Sequence, residues 1–302
     1  MLHVDVTWLG YYMALVSLYY IALFVLSTRF AARRDPPSSE RPGMALIVPA
    51  HNEEAVIGST LDSLIRLDYD PYCVIVVNDG STDRTSELAH AFDSTSRVLV
   101  VDRPAEVAGF GKGAVLNEGY RTLNELLEQH DPAVAGFDPD DAVVGVVDAD
   151  GHLEPKALQE VARLFADHQV GGVQMGVVIG NAEDGLISRC QDLEFTGFCQ
   201  LAQAARDRIG SVGLGGNGQF TRLAALRSLG RPPWTACLTE DLDLGLHLKR
   251  KGWHIRFCRT TAVTQEGVRS LRAWIRQRTR WARGTTSAGT TSPGWSRPGA
   301  CR

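Results

Sequence analysis

The run Val143-Val144-Gly145-Val146-Val147 is apolar on both faces and ends abruptly in Asp148-Ala149-Asp150. A strand apolar on both sides must be covered on both sides, which reads as the buried centre of a parallel sheet flanked by helices. In open α/β sheets, ligands bind at the carboxyl ends of the strands. Asp148 and Asp150 therefore stand where a ligand would be. Two hard oxygen donors beside a phosphate suit Mg²⁺ or Mn²⁺, which takes one or two carboxylates and completes its shell with phosphate and water. An exposed acidic turn would show the same residues, so the neighbouring stretches must decide.

Three strand-helix units precede this run. Met44 to Val48 is a short apolar strand leading into Pro49-Ala50-His51-Asn52-Glu53-Glu54, with a helix from Ala55 to Leu67. Cys73 to Val77 is a second strand, ending Asn78-Asp79-Gly80-Ser81-Thr82-Asp83. Ser81 or Thr82 would cap the helix from Thr85 to Phe92. Arg97 to Val101 is a third strand, ending Asp102-Arg103, and Gly111-Lys112-Gly113 opens a helix through Leu127. Such alternation predicts a doubly wound, mostly parallel α/β sheet. All four strands end in polar or acidic residues on one edge. Asp79 could accept from a base or ribose hydroxyl. Lys112, at a helix start, could meet a diphosphate, since both favour anions. Taken singly, Asp79 could equally be an ordinary turn aspartate and Lys112 a solvated lysine.

The flanks add constraints. From Val6 to Thr28 no residue is charged, a helix of about 34 Å against a bilayer core of about 30 Å. Trp8, Tyr11 and Tyr12 lie near one end, and Arg29, Arg33 and Arg34 follow the other. That pattern predicts one retained transmembrane helix with the rest in the cytoplasm. A net charge of −4 gives no electrostatic footprint for nucleic acid. None of the six cysteines forms a Cys-x-x-Cys pair, so they read as reduced thiols rather than zinc ligands.

In the second half, His152 to Ala166 reads as a helix, Val170 to Ile179 as a strand, and Glu183 to Arg206 as a long amphipathic stretch, on the sheet or at the membrane interface. Val212 to Arg222 is glycine-rich, and glycine lets backbone approach a ligand closely. We place an acceptor-facing loop there. Thr239 is a natural cap for a helix beginning Glu240-Asp241. Ser270 to Arg283 is a basic helix carrying Trp274 and Trp281, either a membrane-surface helix or an aromatic and arginine face for sugar and phosphate.

Taken together, Pro49-Ala50-His51-Asn52-Glu53, Asp79-Gly80-Ser81-Thr82-Asp83, Asp148-Ala149-Asp150, Thr239-Glu240-Asp241 and Gln277-Arg278-Thr279-Arg280-Trp281 resemble glycosyltransferase family 2. They look like its processive membrane synthases, which make cellulose, hyaluronan and poly-N-acetylglucosamine. The resemblance implies a GT-A fold, a nucleotide-diphospho-sugar donor such as a UDP-sugar, Mg²⁺ or Mn²⁺, and inversion at the anomeric carbon. Carried over by position, Asp79 is similar to the residue that holds uracil, Asp148 to the second carboxylate by the diphosphate and Asp150 to the metal ligand. Asp241 resembles the general base, Arg280 the diphosphate contact and Trp281 the stacking platform for the acceptor, with Gln277 nearby. Pro49, Ala50, His51, Glu53, Lys112 and Glu240 complete the substrate-binding set, and Asp148 would share the metal.

The domain reading is an anchor over 1–30, a linker over 31–43, a GT-A domain over 44–283 and a tail over 284–302. Relatives of the polymer-making type continue into further membrane helices, whereas here a Gly/Ser/Thr/Pro tail follows Arg283. The tail reads as disordered and of aberrant origin, such as a frameshift or premature stop. A partner membrane subunit would then be needed for export. The resulting expectation is a single-pass cell-membrane enzyme with a cytoplasmic catalytic domain, acting on a glycan or lipid-linked acceptor. Polymer synthesis is preferred to single transfer to a lipid phosphate because of Gln277 to Trp281. A truncated chain that only binds donor or partners is the alternative.

Overall fold

The computed structural model describes residues 6–29 and 41–287. Arg33, Arg34, most of the linker, Cys301 and the tail beyond Ser287 lie outside the described residues. Eight strands form one sheet, in the order β3-β2-β1-β4-β7-β6-β8-β5. The first half follows the sequence reading closely. β1 (Met44–Ala50), β2 (Tyr72–Asn78), β3 (Val98–Asp102) and β4 (Val143–Val146) run parallel. They are joined through α2 (Ile57–Leu64), α3 (Thr85–His90) and α4 (Lys112–Glu128). Asp83, rather than Ser81 or Thr82, meets the start of α3, accepting from the Thr85 amide at 3.0 Å.

The second half departs from it. His152–Leu153 is a short strand, β5, paired antiparallel with β8. The helix expected from His152 begins only at Ala157, as α5 (Ala157–Phe165), because Pro155 disfavours helical backbone in the residue before it. β6 (Val170–Ile179) is as expected. The long amphipathic stretch is broken into α6 (Leu186–Asp192), a π-helical turn over Leu193–Cys199, and α7 (Gln200–Arg208). α8 (Leu223–Arg227), α9 (Glu240–Arg250) and α10 (Leu271–Ser287) follow. α10 continues past the Arg283 at which the sequence reading ended the domain. Two further strands lie beyond the sequence pattern: β7 (Gln219–Arg222) and β8 (His254–Gln265).

β7 decides the geometry. It lies antiparallel between β4 and β6, while β6 runs parallel to β8. Six strands thus share one direction, and β5 and β7 oppose it. The carboxyl ends of the six gather at one edge of the sheet, and β7 begins at that same edge. The glycine-rich loop before β7 is delivered there by chain direction alone.

One face of the sheet is covered by Ile57, Leu61 and Leu64 of α2 with Leu158 and Val161 of α5. The other is covered by Val115, Leu116 and Leu123 of α4 with Leu244 and Leu248 of α9. Met44, Leu46, Ile47 and Phe220 are fully buried between the layers, each worth about 1.5–3 kcal/mol relative to exposure. α1 (Val6–Arg29) lies against α7, where Arg206 donates to the Tyr19 hydroxyl at 3.1 Å. Most of its large side chains, Tyr11, Leu15, Leu18 and Ile21 among them, are exposed. It is the one described helix long and apolar enough to cross a membrane, by length and composition.

Candidate active site

Two loops are knitted together at the strand ends. β1 runs out through Pro49 and Ala50, and the Ala50 carbonyl accepts from the Asp79 amide at 2.8 Å. His51 Nδ1 donates to the Asp79 carbonyl at 2.8 Å. Asn52, with left-handed backbone (φ 57°), exchanges bonds with Ser81 and Thr82. The Glu53 amide donates to Thr85 Oγ1 at 2.7 Å. Asp79 is 6% exposed, and both carboxylate oxygens are engaged. Arg103 pairs with one, and the Gly109 amide donates to the other at 3.1 Å.

A second cluster forms where β4 ends. Lys112 Nζ bonds Asp148 Oδ1 and reaches the Gly216 carbonyl at 3.4 Å. Around Gly216 the groups converge. A Cβ placed there would lie 3.1 Å from Lys112 Nζ, 3.5 Å from Asp241 Oδ2 and 3.9 Å from Glu240 Oε1. Any larger residue would fill the space these charges share. Glu240 and Asp241 are held at this spot because α9 packs its apolar face on the sheet and starts at the site edge. Thr239 does not cap α9 with its side chain, contrary to expectation; Asp241 Oδ1 instead accepts from the Leu242 amide at 2.7 Å. Asn217 Oδ1 accepts from the Asp148 amide at 3.1 Å, and its Nδ2 donates to Gln265.

The electrostatics are those of crowded acids around one cation. Burial, with Lys112 opposing and Asp241 adding, pushes the Glu240 carboxyl up to about 7. Burial raises Asp241 above the usual carboxylate range, although Lys112 and the Leu242 amide pull it down. Burial works against the Lys112 charge, yet Asp148 and Glu240 overcome it and raise the ammonium's pKa. Asp150 is raised by burial and by Asp148, and Glu53 by burial and then by Asp150 and Asp148. The carboxyl of Asp150, whose ionisation burial and the neighbouring Asp148 disfavour, fits a hard divalent cation, which would relieve the repulsion. Asp150 has one amide donor, from Glu266 at 3.3 Å. Among the described residues, no three His, Cys, Asp or Glu side chains form a metal cage of their own. Phosphate and water would have to complete such a shell.

α10 meets the edge of the cluster at its carboxyl end. A Cβ at Gly284 would lie 2.5 Å from Thr239 Cγ2, so the helix end rests on the residue before Glu240. Trp281 packs at right angles to Phe195, with centroids 6.3 Å apart, and under the Arg278 guanidinium at 4.2 Å. Arg280 is exposed, and Gln277 Oε1 is buried with no partner among the described residues.

Residues 42–284 match the model of a family described as glycosyltransferase like family 2. The chain is a family 2 glycosyltransferase. It is 35% identical to a beta-monoglucosyldiacylglycerol synthase from Nostoc over 80% of this chain and 49% of that one. It is 24% identical to a poly-beta-1,6-N-acetyl-D-glucosamine synthase from Staphylococcus aureus, over 91% and 64%. The chain thus spans about half the length of the Nostoc relative. Its fold is similar to that of the mannosyltransferase PcManGT from Pyrobaculum calidifontis, solved with GDP-Man and Mn²⁺. That likeness has a TM-score of 0.65 at 20% identity, over 93% of this chain and 76% of that one, and it establishes a GT-A-like mixed α/β fold.

In this glycosyltransferase the sequence-read residues Glu53, Lys112, Asp148, Asp150, Glu240 and Asp241 come together. Pro49, Ala50, His51 and Asp79 line the same edge. Gln277, Arg280 and Trp281 stay on the bordering helix. Arg103, Gly216, Asn217 and Arg278 were not singled out. Arg103 had a visible signal, the Asp102-Arg103 strand end, and Gly216 lay inside the loop already assigned to the site.

Proposed function

We propose that this chain transfers a hexose from a UDP-sugar, with inversion, to a hydroxyl of a membrane-borne lipid acceptor. The observation that carries the reading is the convergence of Lys112, Glu240 and Asp241 on Gly216, with Asp148 bonded to Lys112. Asp241 accepts the acceptor hydroxyl's proton as that oxygen forms its bond to the anomeric carbon. The bond from that carbon to the diphosphate breaks, and its electron pair leaves on the diphosphate oxygen. A carboxylate raised above its ordinary pKa is the better base near neutral pH. Lys112 stands where the departing charge collects, and Glu240 orients the acceptor. Asp148 and Asp150 would hold Mg²⁺ or Mn²⁺, which supplies positive charge to a leaving diphosphate. Asp79, with Arg103, faces the nucleobase, and Trp281 is the acceptor platform. α1 crosses the cell membrane with the catalytic domain on the cytoplasmic side.

The lipid acceptor is favoured by the 35% relative, a glucosyldiacylglycerol synthase. Extension of a glycan is the second reading, favoured by Gln277, Arg280 and Trp281 and by the more distant poly-N-acetylglucosamine synthase. The test incubates the full chain in membranes with radiolabelled UDP-glucose or UDP-N-acetylglucosamine, adding diacylglycerol micelles or an oligosaccharide. Label extracted into organic solvent supports lipid transfer, and label retained as long glycan supports the second reading. Absence of label in either phase, with no Mn²⁺-dependent UDP binding by calorimetry, overturns both.

A further inference from the structure

α10 turns one face, Trp274, Gln277, Arg278 and Trp281, toward the π-helical turn. That face should be apolar if it only packed, and it is not. The Arg278 guanidinium lies 4.2 Å from the Trp281 centroid, 5.6 Å from Phe195 and 5.8 Å from Trp274. Its Nη2 donates to Glu194 Oε2 at 2.7 Å, and the two side chains are 24% and 36% exposed. Burial depresses the arginine's pKa, with Glu194 opposing. Its Nε, together with Gln277 Oε1 and Trp274 Nε1, is buried with no partner among the described residues. Leaving such atoms unpaired is costly, so a fold that keeps three on one helix face is under a constraint other than packing. The π-helical turn points the same way, since such turns recur at functional sites. Here it supplies both Glu194 and Phe195.

We infer that Arg278, clamped by Glu194, is a positioning residue that fixes the Trp281 indole for the acceptor. The guanidinium lies over the ring, Phe195 meets it at 81°, and Trp281 stays part-exposed, open to the acceptor. This deepens the proposed function and rests on its reading of Trp281 as the acceptor platform. Arg278 acts through Trp281 and leaves the donor site untouched.

The test compares Arg278→Ala, Arg278→Lys and Glu194→Gln in the full chain. Arg278→Ala should raise the acceptor KM about fivefold to thirtyfold, the range of a part-buried cation–π contact. UDP affinity with Mn²⁺ should stay within about twofold, and kcat should change less than KM. Arg278→Lys keeps a charge over the ring and should recover most of the loss. Glu194→Gln should give a smaller KM rise of the same kind, and it carries the test if Arg278→Ala does not fold. A parallel fall in UDP affinity, or an unchanged acceptor KM, overturns the inference. Should the parent chain transfer to no acceptor, the proposed function fails and the clamp is judged by near-ultraviolet circular dichroism. Arg278→Ala must then alter the tryptophan bands and Arg278→Lys must restore them; unchanged bands overturn it.

Discussion

Glu240→Gln should make the protein more stable in alkali than its parent. Glu240 is 6% exposed, and its carboxyl is pushed up to about 7 from an ordinary 4.5, chiefly by burial. At about 1.4 kcal/mol per pH unit, ionising it inside the fold costs about 3 kcal/mol more than in the unfolded chain. Between those two values the folded state holds the extra proton, so stability falls as pH rises. The contribution is complete below pH 4.5 and is lost as pH passes through about 7. The glutamine keeps the neutral shape at every pH, and Lys112 retains Asp148 as its partner. Thermal unfolding of the detergent-solubilised chain, followed by tryptophan fluorescence from pH 4.5 to 8, is the assay. The Tm difference should be near zero at the acid end and reach about 6–12 °C at pH 8, at about 2–4 °C per kcal/mol. Parallel Tm curves, or a variant less stable at pH 8, would refute the reasoning.

Other outcomes follow from the same geometry. Asp241→Asn should reduce transfer by about 10²–10⁴-fold while UDP binding by calorimetry is retained; lost binding would move the residue to the donor side. Asp150→Ala should abolish the Mn²⁺ dependence of UDP binding, and equal binding with and without a chelator in the parent would remove the metal from the scheme. Asp207→Ala removes the carboxylate to which the buried Arg256 donates at 2.8 and 3.3 Å, beside the Phe257 amide at 3.0 Å. Denaturant unfolding should show a loss of about 3–5 kcal/mol.

The first four strands were legible because each is a short apolar run closed by turn residues. β7 and β8 were not, because their sequences carry Gln219, Thr221, Arg222, Arg256 and Thr264, which read as surface. Those side chains are covered by groups distant in sequence: Arg222 pairs with Asp141 and Arg256 with Asp207. No local pattern announces such partners. The same limit applies at the site. Asp79 stood out at a strand end, but its counter-ion lies on the next strand's end. Arg278 carries no local signal for its role because the Glu194 and Phe195 that hold it lie on the π-helical turn, distant in sequence. Thr239 shows the reverse error: a residue type suited to capping that the fold uses as a backstop for Gly284.

The reversed direction of β7 makes the segment between α7 and that strand a replaceable cassette. Its ends are pinned by the Ser211 amide on the Arg206 carbonyl and the Gly218 amide on the Val146 carbonyl, both at 2.9 Å. Residues between those pins touch the reacting groups but supply no rung of the sheet. Val212 and Leu214 are core residues and Asn217 holds the Asp148 amide, so a swap among related enzymes that keeps those three side chains should re-tune selectivity while the scaffold folds as before.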